Sequence, residues 1–395
     1  MKRILTLCLA IGFLQSFATA VFAIDVKAAV LRIDYPRLLP ISRYDTPQPD
    51  IGFAGAMLAD EDNGTTGGFL GHKYETQAVS VAPEQADSAL QDLLGAGIRL
   101  FVIIAQGDDL LRLADMAAQS GALVFNVASG ETRLRDDACR ANILHIAPSH
   151  AMLADAVGQF AIWKKWSKWL VVSGSNVMDT AIADAFRNTA RKFGATIVQE
   201  KVFVDTGGSR RTDSGHVLVQ RQLPVFMQDA KDHDVVIAAD GTDYFARYLP
   251  FHQWSPRPVM GSAGLIPTVM HGAHEAWGAT QFQNRFERLT NRHIQPEDYN
   301  TWLALRVIGE AVTRASTAEP MGVRDYAMSD QFELAAFKGQ KVTFRKWNGQ
   351  LRQPILLKDG FITVSVSPQD GFLHQRSPLD TLGLDQPESR CAAFD

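Results

Sequence analysis

His271, His274 and Glu275 in "HGAHEAW" are the residues whose types and spacing come nearest to a metal site. Zinc accepts imidazole and carboxylate ligands and activates a bound water, so a zinc-dependent hydrolase is one chemistry this segment allows. Its order is H-x-x-H-E, not H-E-x-x-H, and no third ligand stands nearby, so an ordinary loop is the competing reading. Acids give a second set of candidates. Asp108 and Asp109 in "QGDDLL" precede an apolar-periodic helix, where a cap explains one of them and the other is free to point into a cleft. Asp240 and Thr242 in "AADGTDY" end a strand, as do Ser129 after "FNVA" and Ser262 in "GSAG". Carboxylates accept hydrogen bonds and are hard oxygen ligands, so these acids favour a neutral, cationic or metal-containing ligand. Arg32 and Arg247 are the donors that would reverse that preference. Tyr35, Tyr244 and Trp254 offer rings for stacking, although core or rim packing is the common fate of such residues.

"SGSN", between the strand "KWLVV" and the helix that starts near Val177, is the remaining phosphate-like turn. It lacks the second Gly and the Lys of a P-loop, and the later Gly of a dinucleotide fingerprint. It is not a G-x-S-x-G elbow either. A cleft wall is what remains, with Asn176 and Met178 as its contacts. No cofactor is expected.

The elements that hold these residues alternate. From Val26 the chain reads strand, a helix over Asp50 to Asn63 behind an Asp cap, strand, helix, strand, helix and strand, closing at "ALVFNVA". After "ANILHIAPSH" a second cycle begins: a helix from Ala151 to Trp163, the βαβ unit Lys168 to Phe203, the strand "DVVIAAD", a helix through "TDYFARYLPFHQW" and the strand "RPVMGSAG". A long helix over Tyr299 to Ala315, a shorter one near Asp325 to Lys338 and a β-rich tail with turns at "WNGQ", "KDG" and "PQDG" complete it. Such alternation demands parallel sheets covered on both faces, so the fold class is α/β with two doubly wound lobes. Ligands of such sheets bind beyond the carboxyl ends of the strands, which places one cleft between the lobes.

The ends and composition set the compartment. Lys2 and Arg3 precede an apolar run from Ile4 to Phe17 and then "ATAVFA", a secretory signal peptide over residues 1–23. The run is short of the ~20 residues a membrane span needs, so a soluble periplasmic chain is expected. Cleavage after Ala20 or Ala23 removes one Lys and one Arg from 39 basic residues and none of 43 acidic ones, moving the net charge from −4 to −6. Nucleic acid is excluded as a partner on that charge. Cys8 lies inside the run, badly placed for lipidation. Cys139 and Cys391 remain as an even pair in an oxidising compartment, either bridged or two buried thiols.

"GFAGAMLADEDNGTTGGFLGHKYE", the βαβ unit closing on "FGATIVQEKVF", and "DYNTWLALRVIGEAV" together resemble the leucine/isoleucine/valine-binding type of periplasmic binding protein, a type 1 fold. The resemblance implies a hinged two-lobe receptor with three crossings, near His145 to Ser149, Met260 to Gly264 and Phe344 to Gln350. Residues 24–147 and 261–343 would then form one lobe, and 148–260 with 344–395 the other. It also implies an inner-membrane ABC permease as partner and a small-molecule ligand. "FRKWNGQLRQPILL" and "GFLHQRSPLDTLGLDQPESRC" resemble the subgroup associated with PQQ-dependent alcohol dehydrogenase systems, which implies import, or sensing or assembly without transport, beside alcohol oxidation. Against the family pattern, Asp108 and Asp109 replace hydroxyl residues, Ser262 and Ala263 stand where an acid is needed, and Met178 replaces an aromatic residue. An ordinary α-amino acid is therefore not the expected ligand.

Overall fold

The structure is a computed structural model that describes residues 23–37, 40, 45–204 and 213–394; residues 1–22 of the expected signal peptide lie outside the described residues. The first sheet contains β1 (Asp25–Ile33), β2 (Lys73–Val81), β3 (Leu100–Ile104), β4 (Leu123–Asn126) and β5 (Ile143–His145), in the order β2-β1-β3-β4-β5. All its pairings are parallel. β1 shows why it is buried on both faces. Val26, Ala28 and Val30 enter one core and Ala29, Leu31 and Ile33 the other, as the two-residue strand period requires.

α1 (Phe53–Gly67) and the long α8 (Pro296–Ala315) cover the first of those faces; α2 (Ala86–Gly95) and α3 (Gly107–Ala118) cover the second. The expected Asp cap of α1 is not made. Gly52, at φ 81°, precedes the helix, and its amide donates to Asp298 Oδ1 at 2.8 Å, while Asp50 pairs with Arg292. α1 and α8 touch backbone to backbone, since a Cβ on Gly55 would lie 2.0 Å from the Asp298 carbonyl oxygen.

The second sheet, β7-β6-β8-β9, is also parallel, from β6 (Lys168–Ser173), β7 (Thr196–Val202), β8 (Val235–Ala239) and β9 (Val259–Gly261). α4 (His150–Trp163) and α5 (Val177–Phe193) pack on one face around Trp169, and α6 (Asp213–Met227) packs on the other through Val219, Leu223 and Met227. The chain crosses between lobes after β5, again between β9 and β10 (Ile266–Thr268), and a third time between β13 (Leu351–Arg352) and β14 (Ile355–Lys358). β14 pairs with β10 and β15 (Thr363–Ser367), and α7 (Ala279–Thr290), α9 (Pro320–Met328), β11 (Leu334–Ala335) and β12 (Lys341–Phe344) complete the chain. Cys139 and Cys391 are joined by a disulfide with Cα atoms 5.6 Å apart, tying the tail to the loop before β5.

Three element readings need correction. The helix expected through Thr242 to Trp254 is a single 3₁₀ turn, Ala246–Tyr248, because the Asp240 carboxylate takes the amides that a helix would use. The helix expected near Asp325 to Lys338 is α9, which begins earlier at Pro320, a residue suited to a first helical turn. Leu334 and Ala335 pair instead with β12. α6 and α7 are absent from the sequence reading altogether.

Candidate functional site

Both sheets aim their carboxyl ends at one gap. The first lobe contributes Tyr35 after β1, Gln106 to Asp109 after β3 and Ala128 to Glu131 after β4; the second contributes Gly174 to Met178 after β6, Asp240 to Tyr244 after β8 and Ser262 after β9. Two contacts show how close the edges come. The His150 amide, at the start of α4, donates to Gly130 O at 2.6 Å, and a Cβ on Gly130 would sit 2.6 Å from the His150 ring. Arg247 of the second lobe reaches Asp45, before α1, at 2.9 Å.

The acids at the α3 start divide by environment. Asp109 accepts from the Tyr35 hydroxyl at 2.6 Å and from Arg112 at 2.6 Å, so its charge is matched and its oxygens are occupied. Tyr35 is held well above the usual phenol range by burial and by that carboxylate. Asp108 has a side chain 90% exposed and pairs with Arg133 at 2.6 Å. Neither is the cap: Glu131 Oε1 takes the Gly107 amide at 2.8 Å and Oε2 accepts from Arg133 Nε at 2.7 Å. The open polar element on this wall is therefore the Asp108–Arg133 pair.

On the second lobe the structure assigns most candidates to shaping loops. Asp240 is 4% exposed and accepts from the amides of Thr242, Tyr244, Phe245 and Ala246 and from the Thr242 hydroxyl. Its own amide donates to Ser262 Oγ at 2.9 Å. A carboxylate so surrounded has no lone pair to offer a ligand, which corrects the expectation of Asp240 as a ligand contact. Asn176 caps α5, accepting from the Asp179 amide at 2.9 Å, while buried Asp179 Oδ1 accepts from the Gly241 amide at 2.7 Å and locks the two loops together. Asp179 was missed, although Asn followed three residues later by an acid is a capping signal. The apolar side chains this wall exposes are Val177, 88% exposed, and Met178, 42% exposed and lying over Gly241, beside the exposed polar residues Ser175 and Thr242.

Ser129 is buried; its carbonyl accepts from Asn126 at 2.8 Å and from Arg135 at 2.9 Å. Arg32 bonds Asp34, Pro49 and Ile51 and is no ligand donor. Tyr244 packs on Phe203, and Trp254 is exposed. His271 and His274 both turn to the Thr363 hydroxyl, at 2.9 and 3.2 Å, while Glu275 is exposed. Among the described residues no three His, Cys, Asp or Glu side chains are grouped to hold a metal.

Sequence reasoning also missed the floor beneath the cleft. Arg135 is 1% exposed and links Ser129 O, Glu131 O, Ala147 O and Gln350 Oε1. It thereby ties the cleft loop to the first crossing and to the segment before the third. Burial lowers its pKa to about 9. His145 accepts from Asn126 Nδ2 at 3.1 Å; burial holds it well below the usual imidazole range, and burial with nearby Arg135 lowers His150 to about 4. Both are neutral near pH 7. An unfolded imidazole titrates near 6.5, so between pH 6.5 and 4 the unfolded chain binds more protons. The stability these groups contribute is full above about pH 6.5 and is lost as pH falls toward 4. Denaturant titrations at pH 7.5, 6, 5 and 4.5 are expected to show this, with His150→Gln flattening the slope by up to about 1.4 kcal/mol per pH unit. Parallel pH profiles for the two proteins would contradict it.

The periplasmic binding protein family model matches residues 52–221. Leu/Ile/Val-binding protein BraC3 of Rhizobium johnstonii is 23% identical over 318 residues, covering 73% of this chain and 81% of that protein. Among solved structures, the closed leucine-, isoleucine-, valine-, threonine- and alanine-binding protein from Brucella ovis has a TM-score of 0.72 at 11% identity, covering 94% of this chain and 100% of its own. The branched chain amino acid ABC transporter periplasmic ligand-binding protein from Burkholderia xenovorans LB400 has a TM-score of 0.72 at 16% identity, with the same coverage. Residues 52–221 thus match the periplasmic binding protein model, and the chain shares the two-lobed α/β fold of these solved structures.

Proposed function

We propose that the protein is a non-enzymatic periplasmic receptor of an ABC-type importer, closing two lobes on a small solute and presenting the closed form to an inner-membrane permease. The observation that carries this reading is the convergence of both sheets' carboxyl edges on one gap bridged by three crossings. The expected boundary at 343 moves to the third crossing, because Phe344 and Leu351 lie in the first lobe's core: we assign 24–147 with 261–352 to the first lobe and 148–260 with the segment that begins at 353 to the second. The family match and the ABC-transporter relatives support the same reading. The resemblance of the tail to the PQQ-associated subgroup is the ground for placing it beside periplasmic alcohol oxidation.

The ligand we favour is neutral, hydroxyl-bearing and apolar on one side. Asp108 and Arg133 offer an acceptor and a donor on the first wall, and Val177 and Met178 an apolar surface on the second. With Asp240 fully hydrogen-bonded and Asp243 paired with Arg247, no unpaired acid remains at the second-lobe strand ends among the described residues for an α-ammonium group. A thermal-shift screen over alcohols, aldehydes, carboxylates, PQQ, amino acids and metal ions tests this. A true ligand at 100 times Kd is expected to add about 2.7 kcal/mol, with compaction by small-angle scattering and weaker binding in Asp108→Asn. An α-amino acid as the one stabilising compound would sink the ligand assignment. Stabilisation without compaction would sink the closing receptor.

A further inference from the structure

The C-terminal hairpin carries a cavity that belongs to neither carboxyl edge. About 460 Å³ opens among Lys346, Arg352, Arg376, Ser329 and Thr343, over the nearly buried rings of Phe332 and Phe344. Three guanidinium groups gather beside it on Trp347. The carbons of Arg345, Arg352 and Arg376 lie 5.5, 5.2 and 5.8 Å from the ring centroid.

These cations differ in what they still have to give. Arg345 is fully engaged, with Nε on Asp380 and its terminal nitrogens on the carbonyls of Leu379, Leu382 and Leu384. Arg352 shares the same Asp380 oxygen at 2.8 Å and gives Nη1 to Thr343 and Phe344, which leaves Nη2 without a partner among the described residues. The Arg376 guanidinium makes no ion pair or hydrogen bond among the described residues, and the residue is exposed. Lys346 pairs with Asp330 at the rim at 2.6 Å. Four cations thus meet Asp330 at the rim and Asp380 buried behind the cavity, with Asp385 acting on Arg345 from further off.

Crowded cations repel, and an anion placed among them relieves that repulsion. A guanidinium fork matches the two oxygens of a carboxylate, and an apolar floor suits a carbon body better than a hydrated inorganic ion. We propose that this cavity is a second ligand site that takes a small organic carboxylate between Arg376, Arg352 and Lys346, apart from the inter-lobe cleft.

The buried Trp347 indole supplies the reporter. Its ¹H–¹⁵N resonance, assigned through Trp347→Phe, is followed while succinate is added at constant ionic strength. A saturable shift is expected, weakened about tenfold in Arg376→Gln through loss of a charge-assisted contact, and unchanged in Asp108→Asn. Arg376 is exposed, and its guanidinium bonds nothing among the described residues, so that variant keeps the fold. Absence of a saturable shift in the parent, or an undiminished one in Arg376→Gln, would overturn the site. Loss of the shift in Asp108→Asn would show that the resonance reads the cleft and would also overturn it. Saturation by inorganic phosphate and not by succinate would refute the carboxylate assignment.

Discussion

Asp380→Ala is expected to destabilise the protein by about 3–5 kcal/mol, the cost of leaving buried guanidinium groups without their carboxylate. Arg345 is 1% exposed and Arg352 has a side chain 13% exposed, and both direct Nε to Asp380 Oδ1, at 3.0 and 2.8 Å. Removing the acid leaves two positive charges behind one Trp ring, with three carbonyls still around Arg345 and only Thr343 and the Phe344 carbonyl beside Arg352. Asp380→Asn keeps the shape and an acceptor oxygen, so it should fall between Ala and the parent. Chemical denaturation with a two-state check is the measurement, and the melting temperature should drop by on the order of 10 °C. An Ala variant within 1 kcal/mol of the parent would mean that the guanidinium groups find other partners, and the account of the tail as a clamped scaffold would fail.

Removing the disulfide should have an effect of similar size. Cys139 and Cys391 are 252 residues apart in sequence, and closing so long a loop restricts the unfolded chain by up to about 5 kcal/mol in the chain-entropy model. The native contacts around the link survive its loss: Arg390 donates to Asp136 through its amide at 2.6 Å and through Nε at 3.0 Å. The Cys139→Ser, Cys391→Ser protein is therefore expected to fold and to be about 2–5 kcal/mol less stable. The parent in reducing agent should match it. The 129–140 segment also carries Arg133 and Arg135, so ligand affinity should fall with stability. Equal stability with and without reducing agent would refute the tether.

The sheets were legible because each core strand is a β-branched or aromatic run between polar helical stretches, and β1, β3, β4, β6 and β8 follow that pattern. α7 was not, because its core contacts rest mainly on Ala279, Phe282 and Phe286 in a polar segment. The site was legible in place and not in use. The sequence marks Asp109 and Asp240 as acids at strand ends, yet Tyr35 lies 74 residues from Asp109, and the amides wrapping Asp240 depend on a loop conformation that no periodicity announces. Arg135, Gln350 and Gln353 sit in irregular segments, where polar residues read as solvent-exposed until the tertiary contacts exist. The tail segments behind the narrower resemblance include Arg345, Gln350, Arg352, Gln353 and Asp380, all hydrogen-bonded within the protein.

The backbone contact between α1 and α8 has a mechanical consequence. With no room for a Cβ at Gly55, and Gly309 pressed equally close to Asn63, neither helix can slide or roll along the other without first separating. The helical layer behind the first sheet is then a stiff plate, and deformation is confined to the thin strips joining the plates. On the proposed reading of a closing receptor, energy supplied by a bound solute bends those strips and is not dissipated in shear within the lobe, so the angular travel is set by the few residues around Ala147, Leu265 and Gln353.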